Sequence, residues 1–253
     1  MTSRAFSRGL VPGGGSSYDA LVAAVPDGAA AVLDVACGDG YLLARMAERC
    51  PGAALFGIDM SEAELAEARR RPALSGATLA RERAQRLSLG DSAVDAVLSH
   101  LALMLMDDID AVVAELARVL KPDGTLVFVV GGGQKIETGA WPLFGRVFRQ
   151  GLQDEAATPI ELGDPRVRSG NGIRDLLAAD FDAIDVAPLP VTLDAPIDAV
   201  WDTLATTYGM PCLSDAGRER VEREFRRLAA EITHADGTIP FTLPLLRARC
   251  RRA

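Results

Sequence analysis

The stretch AVLDVACGDGYLLARMAERC, residues 31–50, decides the fold. A short run of apolar, mostly β-branched residues ends in a turn that contains Gly38 and Gly40. A helical pattern, YLLARMAERC, follows at once. A strand that turns through glycines into a helix is how a nucleotide-binding loop begins. The first turn of such a helix offers free N–H groups and a positive dipole to a ligand beyond the strand.

The alternation repeats outward. ALFGIDM reads as a second strand and SEAELAEARRR as a helix, where Ser61 and Glu64 make a capping box. ATLARER is a third strand, and VDAVLSHLALM holds a fourth. DIDAVVAELARVL is an amphipathic helix that stops at KPDG, and GTLVFVV is a fifth strand ended by Gly131, Gly132 and Gly133. Strands alternating with helices at this spacing specify an α/β fold, a doubly wound, mostly parallel sheet with helices on both faces. Ligands in such a sheet bind beyond the carboxyl ends of the strands, at the switch point beside the first one.

After Gly133 the rhythm breaks. Residues 131–172 and 192–237 are expected to form a helical lid inserted into a single domain, 1–253, whose cofactor-binding core is 18–130. GIRDLLAADF returns to a helix and AIDVAPLPV to a strand. TIPFTLPLLRARC is expected to be one last strand, interrupted at Pro244. Residues 1–16, rich in glycine and serine, are expected to be mobile.

Composition narrows the function. The chain has 253 residues, enough for a full core, with 49% hydrophobic and 25% charged residues. A net charge of -8 argues against a nucleic-acid partner. The one basic cluster, Arg247, Arg249, Arg251 and Arg252, reads as a solvated terminus. The four cysteines make no CxxC pair, and the only histidines, His100 and His234, lie far apart, so no metal is expected. No apolar run nears the roughly 18 residues of a membrane span, and no signal core is present. A cytoplasmic protein with no membrane partner is expected, and a homodimer is compatible with the chain.

The loop then selects its ligand. A P-loop is excluded, because no Lys-Ser/Thr pair follows the glycines. A dinucleotide fingerprint would need a small residue where Leu43 stands, after Gly38-x-Gly40, and Asp34 would repel a pyrophosphate. S-adenosylmethionine suits both features. It carries a sulfonium and an ammonium against one carboxylate, so an acidic strand end attracts it. Asp34-x-Ala36-x-Gly38-x-Gly40 places small residues where ligand and backbone touch. Asp59, at the carboxyl end of the second strand, is placed to accept ribose hydroxyls.

VLDVACGDGYLLARMA, FGIDMS, VDAVLSHLALMLMDD and ELARVLKPDGTLVFV, in that order, resemble the successive motifs of class I S-adenosylmethionine-dependent methyltransferases. The resemblance covers roughly residues 30–130. It implies a seven-stranded Rossmann-like sheet whose last strand is antiparallel and inserted between the fifth and sixth. It further implies cofactor contacts from Tyr18, Asp34, Ala36, Gly38, Gly40, Asp59, Met60, Ala84, Gln85 and Ser99. Two departures stand out. Ala36 replaces the family's first glycine. Arg83 stands where the family has an aspartate for the adenine amino group, which leaves Ala84 a backbone role and Gln85 as substitute.

For the acceptor side, His100 follows the fourth strand and is a candidate general base, with His234 a weaker one. Aromatic residues are only 5% of the chain, and their gathering in the irregular segments points to an apolar pocket. Its expected lining is Met104, Trp141, Phe144, Trp201, Tyr208 and Met210. The expected activity is methyl transfer to a small, partly apolar molecule in bacterial specialised metabolism. The alternatives are a same-fold enzyme that uses the cofactor without methylating, of cyclase or decarboxylase type, or a non-catalytic cofactor-binding module.

Overall fold

The computed structural model describes residues 6–253. They divide into a sheet unit of residues 17–133, 162–189 and 245–253, and a helical unit of the described residues up to Ser16 with 134–161 and 190–244. In chain order the sheet unit opens with α1 (Ser17–Ala24), β1 (Ala31–Val35), α2 (Tyr41–Arg49), β2 (Ala54–Asp59), α3 (Glu62–Arg69) and β3 (Thr78–Arg81). It continues with β4 (Val94–His100), α4 (Ile109–Val119) and β5 (Leu120–Gly131). The helical unit inserts α5 (Ala140–Asp154), and the sheet unit resumes with α6 (Gly170–Leu177) and β6 (Phe181–Pro188). A second insertion brings β7 (Val191–Thr192), β8 (Ala195–Pro196), α7 (Ile197–Ala205), α8 (Asp215–Ala229), β9 (Thr238–Ile239) and β10 (Thr242–Leu243). β11 (Leu245–Arg252) closes the chain.

The seven strands of the sheet unit lie in the order β3-β2-β1-β4-β5-β11-β6. β1 to β5 pair in parallel, while β11 runs antiparallel to both β5 and β6. This is the doubly wound α/β sheet expected, with the inserted last strand. After β3 the chain crosses to the other side of β1, which makes the β1–β4 boundary the switch point. Register fixes what meets there. Asp34 lies opposite Gly57 on one side and Leu98 on the other. Two residues on, Ala36, Asp59 and His100 therefore share the carboxyl edge of the sheet.

Strands covered on both faces read as apolar runs because both alternating sets of side chains are buried. Leu33, Val35, Val97, Leu126 and Phe128 belong to one core cluster with Ile109, Val112, Val113 and Leu116 of α4. That helix places its apolar residues at a spacing of three and four, so a single stripe faces the sheet.

Four expectations change. The arginine-rich terminus is β11, in the interior of the sheet, and its guanidinium groups have partners. Arg247 pairs with Asp185, Arg249 Nε donates to the Ala24 carbonyl at 3.0 Å, Arg251 lies 3.3 Å from Asp182, and Arg252 reaches Ser92 Oγ at 3.0 Å. The expected last strand is three pieces. Pro244, which cannot donate to a ladder, separates β11 from β10, and β10 pairs with β7 in the helical unit. Residues 162–172 belong to the sheet unit rather than to the first insertion. A Cβ on Gly163 would lie 2.3 Å from the Met104 carbonyl oxygen, so backbone meets backbone there. Finally, the described part of the N-terminal stretch is packed. Phe6 is buried, and Leu10 exchanges backbone hydrogen bonds with Thr192 at 2.8 and 2.9 Å. Residues 1–5 lie outside the described residues.

The helical unit has its own aromatic core. Phe144 stacks on Phe148 with ring centroids 5.6 Å apart and meets Trp201 and Phe225 edge-on at 6.3 and 6.4 Å. Ser214 caps α8, accepting from the Gly217 N–H at 3.0 Å, and Glu155, just after α5, holds that cap. It accepts from the Ser214 N–H at 2.9 Å and its hydroxyl at 2.6 Å, favourable for an acid at a helix N-terminus.

Phe128 is 1% exposed at the centre of the sheet core. Phe128→Ala is expected to lower unfolding free energy by about 3–5 kcal/mol through lost burial and the cavity left behind. Denaturant titration of both proteins checks this, and a loss below about 1 kcal/mol would mean the core is not organised around that ring.

Candidate functional site

The site is built from the carboxyl edge of β1 outward. Asp34 is 1% exposed, and its Oδ2 has no hydrogen-bond partner among the described residues. Burial pushes its carboxyl well above the usual range, and the neighbouring charges of Asp59 and Asp39 push it further. An unpaired buried oxygen is costly, so it marks a place where a cation or donor belongs.

The turn that follows is shaped by left-handed backbone. Ala36, Gly38 and Gly40 have φ of 57°, 54° and 75°. Ala36 thus occupies a conformation that favours glycine, at a cost of about 1–2 kcal/mol. Gly40 is also confined by space. A Cβ there would lie 2.6 Å from Leu74 Cδ1 and 2.9 Å from Ala68 Cβ. It ends the turn and starts α2; the N-cap glycine offers no side chain, and of the first-turn N–H groups that of Tyr41 donates to Asp39 Oδ1 at 3.2 Å.

Asp59, at the end of β2, is aimed by two backbone donors. Its Oδ2 accepts from the Gly38 N–H at 2.9 Å and its Oδ1 from the Ser61 N–H at 2.8 Å. Each oxygen retains a lone pair for a ligand hydroxyl. Met60 beside it is 58% exposed, an apolar surface next to a carboxylate. Glu64, a turn further into α3, is pushed up by burial and then by Asp39 and Asp59. Against these acids stands Arg71, which pairs with Asp39 at 2.5 Å and lies 5.5 Å from the Tyr41 ring centroid. Sequence reading missed Arg71, whose only signal was its place at the end of the arginine run after α3.

Tyr18 of α1 is 6% exposed and stacks on His100, ring centroids 3.9 Å apart. Its other neighbour is Tyr41, met edge-on at 4.8 Å. Ser17 Oγ lies 2.8 Å from His100 Nε2. Burial pushes the His100 pKa down to about 3. The imidazole therefore stays neutral and is a weak proton acceptor, poorly matched to a base working near neutrality.

The other sequence candidates fall as follows. Ser99 is fully buried and spends its hydroxyl on the Val35 carbonyl at 2.9 Å. Ala84 is buried. Gln85 donates to the Asp107 carbonyl at 2.7 Å and carboxylate at 2.9 Å, and Arg83 grips the same carboxylate at 2.7 and 3.0 Å. Asp107, also missed, ties the loop after β3 to the loop after β4. Met104 accepts from the Gly131 N–H through its sulfur at 2.9 Å, which fastens that second loop to β5. Phe144, Trp201 and Met210 are buried within the helical unit, Trp141 lies 6.3 Å from Phe144, and Tyr208 is 46% exposed. His234 sits in an exposed turn of that unit, its Nδ1 3.4 Å from Thr238 Oγ1. Among the described residues, no three His, Cys, Asp or Glu side chains converge to hold a metal.

Residues 33–128, which supply β1 to most of β5, match the methyltransferase domain family model. Over that stretch the chain is similar to methyltransferase domains, and the match covers less than half of the chain. An uncharacterised methyltransferase of Mycobacterium tuberculosis is 35% identical over 127 residues, which is 50% of this chain and 64% of that relative. A ubiquinone/menaquinone biosynthesis C-methyltransferase of Desulfotalea psychrophila is 39% identical over 100 residues, 40% of this chain and 41% of that enzyme. Among solved structures, the [4+2]-cyclase SpnF superposes with a TM-score of 0.59 at 19% identity, over 92% of this chain and 79% of that one. The likeness to the cyclase is one of fold. The helical unit lies outside the stretch that the family model matches.

The buried Asp34 carboxyl has a consequence for stability. Between the ordinary carboxylate pKa and its raised native value, the folded protein holds a proton that the unfolded chain has released. Its contribution to stability is therefore lost as pH rises through that window. Thermal unfolding of the cofactor-free protein across pH is expected to show a smaller decline in Asp34→Asn than in wild type. Identical slopes would remove Asp34 from the account.

Proposed function

We propose that the chain is an S-adenosylmethionine-dependent methyltransferase acting on a small, partly apolar acceptor in bacterial specialised metabolism. The observation that carries the cofactor reading is the unpaired Oδ2 of Asp34, buried among acids at the switch point of the sheet. A pyrophosphate would be repelled there, whereas a ligand with a sulfonium and an ammonium relieves both the unpaired oxygen and the charge excess. Asp59, already aimed by Gly38 and Ser61, fits ribose hydroxyls, and the first turn of α2 fits the ligand's carboxylate. Met60 offers an apolar face for adenine beside Asp59. S-adenosylmethionine held by these groups supplies a methyl carbon already activated by its sulfonium.

The chain's own contribution is then to bind, orient and exclude water. Alignment of two reactants is worth about 7–11 kcal/mol of barrier, so a general base is not required. The acceptor class rests on composition. The aromatic side chains gather in the helical unit, and that unit lies outside the matched family region. Specialised metabolism rests on that divergent unit together with an alanine- and arginine-rich composition typical of GC-rich bacteria. A second reading, use of the cofactor without methyl transfer, draws support from the weak basicity of His100, because a cyclisation needs no proton acceptor at that edge.

Thermal shift with S-adenosylmethionine, its demethylated product and NADPH tests the cofactor. Cofactor at about 100 times its dissociation constant is expected to stabilise the protein by roughly 2.7 kcal/mol. Stabilisation by NADPH alone would sink the proposal. Asp59→Ala is expected to weaken S-adenosylmethionine binding by about 2 kcal/mol, roughly thirtyfold, through lost charge-assisted hydrogen bonds. An unchanged dissociation constant would reject that role. Formation of demethylated cofactor during turnover separates the methylating reading from the second one.

A further inference from the structure

We propose that His100 is a positioning residue, which through Ser17 and Tyr18 pins the first turn of α1 against the carboxyl end of β4 and so forms one wall of the cofactor cleft. The inference rests on the cofactor reading above and assigns within it a role to three side chains.

Three observations carry it. First, the contacts converge on a single turn. Ser17, the first residue of α1, is fully buried with its Oγ 2.8 Å from His100 Nε2. The next residue, Tyr18, lies over the same imidazole with rings 3.9 Å apart and inclined by only 23°. A hydrogen bond and a stacked face from adjacent residues fix both the position and the rotation of the helix start. Second, Tyr18 leads to the acidic cleft. Its hydroxyl is pushed up by burial, then by the charges of Asp39 and Asp34, which places the phenol within their field. On its far side it meets Tyr41, the first residue of α2, and Tyr41 lies under Arg71, the partner of Asp39. The stack His100–Tyr18–Tyr41–Arg71 thus runs from the end of β4 to the glycine turn after β1. Third, the other described tethers of the helix hold it elsewhere, and at its far end Arg249 Nε donates to the Ala24 carbonyl at 3.0 Å. Arg45 of α2 bridges to Asp19 at 2.6 Å, a half-exposed ion pair of the kind that contributes little. The buried Ser17–His100 contact is the stronger constraint on where α1 begins.

The chemistry of His100 agrees with this role. A neutral imidazole stacks on a phenol and accepts or donates one hydrogen bond at Nε2 without the cost of a buried charge. Its low basicity fits a structural hydrogen bond better than proton abstraction.

The test uses Ser17→Ala, His100→Ala, the double variant and His100→Gln, whose amide reaches the Nε2 position. Hydrogen exchange of the α1 amides is measured without cofactor, S-adenosylmethionine affinity by calorimetry, and turnover across pH. Ser17→Ala and His100→Ala are each expected to speed α1 exchange and weaken cofactor binding about tenfold, the order of one buried hydrogen bond. The double variant should be no worse than His100→Ala, because both single changes break the same contact. His100→Gln should restore most of the affinity, and KM for the cofactor should rise more than kcat falls, with an unshifted pH profile. Unchanged α1 exchange and affinity in Ser17→Ala and His100→Ala would overturn the proposal. So would a fall in kcat of about 100-fold or more at constant affinity, which would make His100 the base. If the wild type binds no S-adenosylmethionine, the cofactor reading fails, and α1 exchange in the cofactor-free variants still decides whether the pin exists.

Discussion

An unpaired, buried carboxylate oxygen governs the carboxyl edge of the sheet unit. Asp34 sits at the end of β1 because parallel strands covered on both faces carry their terminal side chains into the crevice at the switch point. Its neighbours make its position worse. Asp59 and Asp39 add repulsion, and Arg71 offsets only Asp39. The surrounding backbone tolerates left-handed geometry at Ala36, Gly38 and Gly40 to bring α2 close to the same point. Such an arrangement is unfavourable when empty of countercharge, and in the reading we propose a cationic ligand relieves it. That reading couples stability to affinity at this edge.

The strand, glycine turn and helix were legible in the sequence because the signals are local: a change of apolar period and two glycines that the turn requires. Asp34 and Asp59 were legible for the same reason, since each closes a readable strand. The placement of β11 between β5 and β6 followed from family resemblance, and nothing in its own sequence marks it as interior. Its arginines look solvated until the sheet brings Asp185, Asp182 and the Ala24 carbonyl to them. Pro244 was visible, yet only the fold shows that it divides strands of two different units.

The missing parts of the site share a cause. Arg71, Asp107 and Ser17 come from turns and helix starts whose positions are set by tertiary packing, so no spacing announces them. Ser99 shows how a local partner can claim a candidate side chain. It stands next to the carboxyl end of β4, and its hydroxyl donates to the Val35 carbonyl. Arg83 replaces an expected acid, and the structure pairs it with Asp107, a carboxylate supplied from the neighbouring loop. The Asp107 carboxylate, held by Arg83 and Gln85, fastens the loops after β3 and β4 together.

Proton-linked calorimetry addresses the central claim most directly. S-adenosylmethionine is titrated into the wild type and Asp34→Asn in buffers of different ionisation enthalpy. A cleft built around an unpaired Asp34 binds one cofactor per chain and releases a proton as that carboxyl ionises against the cation. Asp34→Asn should bind more weakly and lose the release. Binding of equal strength in both proteins, with no proton released from either, would contradict the account.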